Sequence, residues 1–250
     1  MTSHEAPLLS FVLPVHNNED IVEPNVETLA VRLEKSRGSD VFLVENGSRD
    51  ASWAACEAVR GTRHGVDVHP HREASAGLGY AYARGIDEVL ALHGPSTSRW
   101  AVLTATDLPF AFTDLDRALP HMARGVRAVA GSKAHLASQA WAGAQRYVMS
   151  IAYRNARRAI LGMKIGDSQG SFFIRLDLLA ATAPFVRSRD FFYTTELAYL
   201  IEREGETVAE VPVVLEQHQL VAANSSVRPF THASRMLKQL VDLRRRVSPR

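Results

Sequence analysis

The sequence predicts an α/β fold, a mostly parallel sheet flanked by helices, and three observations predict it. Three apolar runs, Phe11–Val15, Val41–Val44 and Ala101–Leu103, each break into a short polar turn. Segments of helical periodicity separate them, and alternation of this kind is the pattern of a parallel, twisted sheet. At 250 residues with 46% hydrophobic content, the chain can bury a full core. If the runs are parallel strands, their polar turns share the carboxyl edge of one sheet, where open α/β folds bind ligands.

Taken in order, the elements are strand 9–15, helix 22–36, strand 40–45, helix 50–60, strand 66–70, helix 76–92, strand 99–104, helix 113–123 and strand 126–131. Pro24 suits the first turn of its helix, where a missing N–H costs nothing. Gly38 and Asp40 mark the return to the sheet, and Thr113 with Asp116 predicts a capping box. Asp107 ends a buried strand and is stopped by Pro109, a placement suited to holding a metal ion against a phosphate.

After residue 131 the chain changes character. Helix 143–161 puts Val148, Ile151, Ala152, Ala159 and Ile160 on an apolar stripe and Arg146, Arg154, Arg157 and Arg158 around a cationic side, and it ends at Gly162. Gly166–Phe172 reads as a flexible polar loop entering a short apolar strand, followed by a helix near 191–204 and a strand over 207–215. One domain is expected, with a ligand-binding half over 1–131, a cap over 132–228 and a basic helix over 229–250.

That helix is the charged part of the chain. Residues 228–250 carry a net charge of +6 within a whole-chain charge of +2. Phe230, Ala233, Leu237, Leu240 and Val241 recur at helical spacing within it, so it either lies on anionic lipid or packs on the domain with its charges solvated. A single cysteine, Cys56, excludes an internal disulfide, and no run of about 18 apolar residues predicts a membrane span. Met1–Glu5 does not read as a signal peptide, so a cytoplasmic protein is expected, with peripheral contact at the inner membrane face as the option the basic helix leaves open. Whether it forms a homodimer is also left open. A nucleic-acid partner is not expected, because aromatics are not interleaved with the basic residues of the tail.

Several ordered motifs carry a resemblance. Leu13–Glu19, Val44–Asp50, Gly77–Gly85, Thr106-Asp107-Leu108, Gly131-Ser132-Lys133, Asp167–Phe172, Glu210–Val213 and Ser225–Pro229 follow the order and spacing seen in one group of enzymes. Over roughly 220 residues the chain resembles the inverting family 2 glycosyltransferases of GT-A fold, within them the dolichyl- or polyprenyl-phosphate sugar synthases. The resemblance implies a nucleotide-sugar donor, Mg²⁺ or Mn²⁺, and a polyprenyl phosphate or a small-molecule acceptor.

It also implies roles. Pro14, Val15, His16 and Asn17 would flank the base, Glu45 or Asn46 would contact the nucleoside, and Thr106 with Asp107 would form the metal turn, Asp107 being the metal ligand. Gly77 and Gly79 would let backbone amides at a helix start approach phosphate, although a Gly-Leu-Gly is as often simple packing. An anionic acceptor needs cations rather than a strong base; Lys133 and Arg228, with Arg175 or Arg146, are the candidates. A hydroxyl acceptor would need a base, and Asp167 and Glu196 are the carboxylates to suspect. Gln169 either orients the acceptor or bonds a loop carbonyl.

The chain departs from the resembled pattern at four places. Ala105 stands where many members carry the first acid of the metal pair, and Ser75-Ala76 replace a lysine. Gln217 or His218 stands for an arginine, and Ser171 separates Gly170 from Phe172. These departures keep two other readings alive, a biosynthetic glycosyltransferase of small molecules and a non-catalytic nucleotide-sugar-binding protein. The histidines show no metal-ligand spacing; Met149, Met163, Trp53, Trp100 and Trp141 read as core, and Cys56 as buried and inert.

Overall fold

The computed structural model describes residues 7–139, 144–215 and 229–247. Its strands are β1 (Leu8–Val15), β2 (Asp40–Glu45), β3 (Gly61–Arg63), β4 (Val66–Arg72), β5 (Arg99–Leu103), β6 (Ala128–Ser132), β7 (Phe172–Arg175) and β8 (Val208–Pro212). The helices are α1 (Val22–Leu33), α2 (Ser52–Ala58), α3 (Leu78–His93), α4 (Thr113–Ala123), α5 (Ala144–Leu161), α6 (Leu176–Thr182), α7 (Tyr193–Arg203) and α8 (Pro229–Val247). The strands form one sheet in the order β3-β4-β2-β1-β5-β7-β6-β8.

β4, β2, β1 and β5 run parallel, as alternation with helices requires. β7 inserts between β5 and β6 and is antiparallel to both, so the two strands that the sequence places next to each other do not pair. β3 turns back on β4 as an edge hairpin that the sequence reading lacks; three polar residues give no alternation to read. Helix α6 is also missing from the sequence reading, and the other differences lie at element ends, among them α1, which stops at Leu33, α2, which spans only Ser52–Ala58, and β8, which stops at Pro212.

Each central strand shows period-two burial on two cores. Val12 of β1 and Phe42 of β2 face the layer of α3, α6 and α7, while Phe11, Leu13, Val41 and Leu43 face α1, α2 and α4. Each fully buried side chain of this kind contributes roughly 1.5–3 kcal/mol. Gly85 lets α3 lie directly on β1, since a Cβ there would stand 2.3 Å from a Val12 methyl.

The basic helix α8 packs on the domain. Leu240 and Leu243 are buried, whereas Leu237 and Val241 are exposed, so the buried stripe is rotated from the one the sequence suggests. Arg246 pairs with Glu196, Arg235 with Asp190 at 2.8 Å, and Arg244 donates to the Ile160 carbonyl at 2.9 Å. In α5 the buried face carries Arg157, 2% exposed, rather than Val148, which is 63% exposed. The capping box does not form. Thr113 lies inside α4, its Oγ1 donates to the Phe110 carbonyl, and Asp116 pairs with Arg32. Among the described residues no helix is long and apolar enough to cross a membrane.

Candidate functional site

Parallel pairing sets Val15 beside Glu45 and Val12 beside Leu103, so the turns after β1, β2 and β5 leave the sheet at one edge. Each turn is tied to its neighbours. Asn46 donates its backbone N–H to the Val15 carbonyl at 3.1 Å and its side-chain amide to the Gly77 carbonyl at 2.9 Å. His16 Nδ1 lies 3.0 Å from the Asn46 carbonyl, an acceptor, which puts the ring proton on Nδ1. Glu45 is buried and accepts from the Ser48 N–H at 2.6 Å, with Arg72 3.5 Å away. Asn17, at φ 53°, accepts from the Arg49 N–H. Thr106 donates to the Pro14 carbonyl at 2.6 Å, locking the β5 turn to the β1 turn.

The β5 turn is wound tightly. Leu108, Ala111 and Phe112 hold φ values of 46°, 44° and 63°, a region costing non-glycine residues about 1 kcal/mol or more each. Ala105 is exposed in this turn and Asp107 half-buried. Tyr82 is buried beside them, and burial together with the Asp107 charge pushes its hydroxyl pKa up. A cavity of about 380 Å³ opens between this turn and the segment Gln169–Ser171.

That second wall is built from far away in sequence. The Glu210 carboxylate accepts from the N–H groups of Gly166 and Asp167 at 2.8 and 3.1 Å, and Glu202 accepts from those of Lys164 and Ile165. Buried Arg157 donates to the Ile165 and Gly166 carbonyls at 3.2 and 2.8 Å. Gly170 passes so close to β6 that a Cβ would stand 1.7 Å from the Gly131 carbonyl oxygen. The loop predicted to be flexible is therefore clamped on both its donors and its acceptors.

Asp167 and Lys133 face each other on this wall at 3.1 Å. Asp167 also accepts from the Lys133 and Gln169 N–H groups at 3.0 and 2.9 Å, and Lys133 Nζ donates to the Gln169 carbonyl at 3.0 Å. Burial opposes ionisation of Asp167, but the Lys133 ammonium and these amides outweigh it and hold the carboxyl below the usual range. Lys133 and Gln169 both line the cavity, with Lys133 Nζ 5.6 Å from the Phe110 ring centre.

Other sequence candidates fall elsewhere. Glu196 is fully buried and accepts from the Arg187 N–H and from the Ser188 N–H and hydroxyl, while pairing with Arg246; it is a structural anchor, not an exposed base. Arg175 pairs with Asp177 and sits opposite Trp100 at the start of β5, on the far edge of the sheet. Gly77 and Gly79 have a packing reason, since Cβ atoms there would meet Arg189 backbone atoms at 2.7 and 2.5 Å. Arg228 and Trp141 lie outside the described residues, as do Gln217 and His218 and the side chain of Arg146. Arg157, set by helical spacing on a cationic side, is buried, Glu210 stands in the sequence only within a motif, and Glu202 and Asp114 carry no signal there. Asp114 is buried against Ser171, and desolvation raises its pKa.

Among the described residues no group of three His, Cys, Asp or Glu side chains is arranged to hold a metal. His69 and His71 instead stack on Phe42, with ring centres 4.9 and 5.9 Å away. Cys56 is buried, and burial pushes its thiol up to about 12, as an inert core residue requires.

Comparison with known proteins gives two findings. The family model described as Glycosyl transferase family 2 matches residues 10–179. Crystal structures of glucosyl-3-phosphoglycerate synthase from Mycobacterium tuberculosis share the fold. The complex with uridine diphosphate has a TM-score of 0.62 at 16% identity, covering 95% of this chain and 79% of that one. The complex with Mn²⁺, UDP-glucose and phosphoglyceric acid has a TM-score of 0.63 at 17% identity, covering 95% and 78%. No curated protein sequence matches.

Proposed function

Because the chain belongs to glycosyl transferase family 2, we propose that it moves a hexose from a nucleotide-diphosphate sugar, with inversion, to an acceptor whose nucleophile is already anionic, a phosphate monoester such as a polyprenyl phosphate. In this reading the donor lies along the strand-end turns. His16, Asn17, Glu45 and Asn46 border the nucleoside, and Thr106 with Asp107 borders the diphosphate. UDP-glucose is the first donor to test, because the fold is shared with a synthase whose structure holds it.

A divalent ion fits this edge on one condition. Asp107 supplies a single carboxylate, so Mg²⁺ or Mn²⁺ would be held by Asp107 together with the diphosphate oxygens and water, an arrangement such hard ions accept. When bound, the ion offsets charge growing on the leaving diphosphate. The acceptor oxygen attacks the anomeric carbon as the bond from that carbon to the diphosphate oxygen breaks, and the nucleoside diphosphate leaves with the electron pair.

The observation that carries the acceptor class is the state of the two carboxylates suspected as bases. Asp167 is held ionised by Lys133 and two amides, and Glu196 is buried in a structural pair. Asp167, its proton affinity lowered in this way, is a poor base for a hydroxyl, and Glu196 is buried away from any acceptor. An anionic phosphate needs no base, and Lys133 can face it. Phosphoglyceric acid, present with the related synthase, also carries a phosphate, so a small phosphorylated acceptor is the second reading.

The test is release of nucleoside diphosphate from UDP-glucose and from GDP-mannose with Mn²⁺, in the presence of undecaprenyl phosphate or of 3-phosphoglycerate. Release that requires undecaprenyl phosphate supports the proposal. Release with 3-phosphoglycerate alone favours the second reading. Tight donor binding with no release under any condition would leave a non-catalytic binding protein.

A further inference from the structure

Most of the cavity wall is apolar. Leu78, Pro109, Phe110, Phe191 and Leu215 surround it, with Lys133 as its cation. Phe110 is buried, whereas Phe191, at the mouth of the cavity, is 59% exposed.

Phe191 is nevertheless held in place. The segment before it is fixed by Glu196, which receives the Arg187 and Ser188 N–H groups at 3.1 and 2.9 Å. The Arg189 backbone is pressed into the space left by Gly77 and Gly79. Asp190 accepts from the Phe192 N–H at 3.0 Å and from the Gln239 side chain at 2.9 Å, and pairs with Arg235 of α8. These restraints hold the ring at the mouth of an apolar cavity, where a bound apolar group would cover it.

We propose that Phe191 is a specificity-determining contact for the acceptor, selecting anions that carry an apolar body next to the charged head. The head faces Lys133 and the body lies between Phe110 and Phe191. The inference rests on the proposed acceptor reading and narrows it: a fully polar anion would leave the Phe191 face wet and gain nothing from it. Two kinds of molecule share the chemistry, an isoprenoid phosphate and an aryl phosphate.

The experiment is calorimetric binding of citronellyl phosphate, phenyl phosphate and inorganic phosphate to the full chain, to Phe191→Ala and to Phe191→Leu. Wild type is expected to bind at least one organic phosphate about tenfold more tightly than inorganic phosphate, a ratio typical of burying one ring or short chain. Phe191→Ala should erase that ratio without changing inorganic phosphate binding, and Phe191→Leu should keep most of it. Preference for citronellyl phosphate would assign the isoprenoid source, preference for phenyl phosphate the aromatic one. Equal binding of all three by wild type, or a ratio unchanged in Phe191→Ala, would overturn the proposal. Donor turnover is scored separately, so absence of nucleoside diphosphate release would count against the transferase reading and not against this contact.

Discussion

The turn after β5, tied to those after β1 and β2, faces the loops over 162–171 and 186–192 across one cavity, but the strand-end turns and the two loops are held by different means. At the strand ends, short side chains bond the backbone of the neighbouring turn: Asn46 to Gly77, Thr106 to Pro14, Asn17 to Arg49. In the two loops, long charged side chains arrive from helices and a strand: Glu196, Glu202, Glu210 and Arg157. The first arrangement follows from parallel strand register. The second needs a tertiary fold to exist before any of its bonds can form, so its stability is concentrated in a few buried charges.

Single substitutions separate the two kinds of restraint. The largest expected effect is at Glu196. Glu196→Ala strands the N–H groups of Arg187 and Ser188 and leaves Arg246 unpaired. Loss of a buried carboxylate with these partners costs about 3 kcal/mol, at the low end for a buried pair because Arg246 is partly solvated. A shift in the urea midpoint measures it. A change below about 1 kcal/mol would mean that the loops do not depend on buried charge.

Next comes Gly79→Ala, whose methyl would lie 2.5 Å from the Arg189 carbonyl carbon. Backbone cannot yield as a side-chain tip can, so the cost is about 2 kcal/mol. Hydrogen exchange should show the loss mainly in residues 186–192, while the β1, β2 and β5 amides keep their protection.

Two buried acids then give opposite pH signatures. Asp167 is held below its ordinary value of 3.8, so its contribution is full above that value and fades as pH falls through the lower folded pKa. Asp114 is raised by desolvation, so the folded state disfavours its charge and loses stability as pH rises above 3.8. Asp167→Asn should lower the melting temperature at pH 7 and have less effect at pH 3. Asp114→Asn keeps an acceptor for the Leu115 N–H and should raise the melting temperature at pH 7 but not at pH 3. Thermal melts at the two pH values check both signs.

The smallest effect belongs to Lys238→Ala on the exposed side of α8, expected within about 0.5 kcal/mol. A larger loss would give that side a contact of its own.

The same contrast explains what was legible in the sequence. β1, β2, β5 and their shared edge were readable, because apolar runs ending in polar turns are a local signal. The place of β7 was not: Phe172–Arg175 reads as a strand, but nothing local says that it pairs between β5 and β6. Arg157 reads as surface by helical spacing, because its burial is set by the loop carbonyls it reaches, eight and nine residues on. Glu196 looked like a base for the same reason: a carboxylate on a helix carries no mark of the N–H groups waiting for it. The buried stripe of α8 was misplaced because Leu237, Leu240, Val241 and Leu243 offer two overlapping faces, and only docking selects one.

If the strand-end turns form a metal-assisted nucleotide-sugar site, Asp107 is the side chain on which donor binding depends. Calorimetric titration of UDP-glucose should be run with Mn²⁺ and with chelator, on wild type and on Asp107→Ala. Binding should need Mn²⁺ and fall at least about tenfold in Asp107→Ala. UDP-glucose binding that is equally tight with chelator, or unaltered in Asp107→Ala, would contradict it.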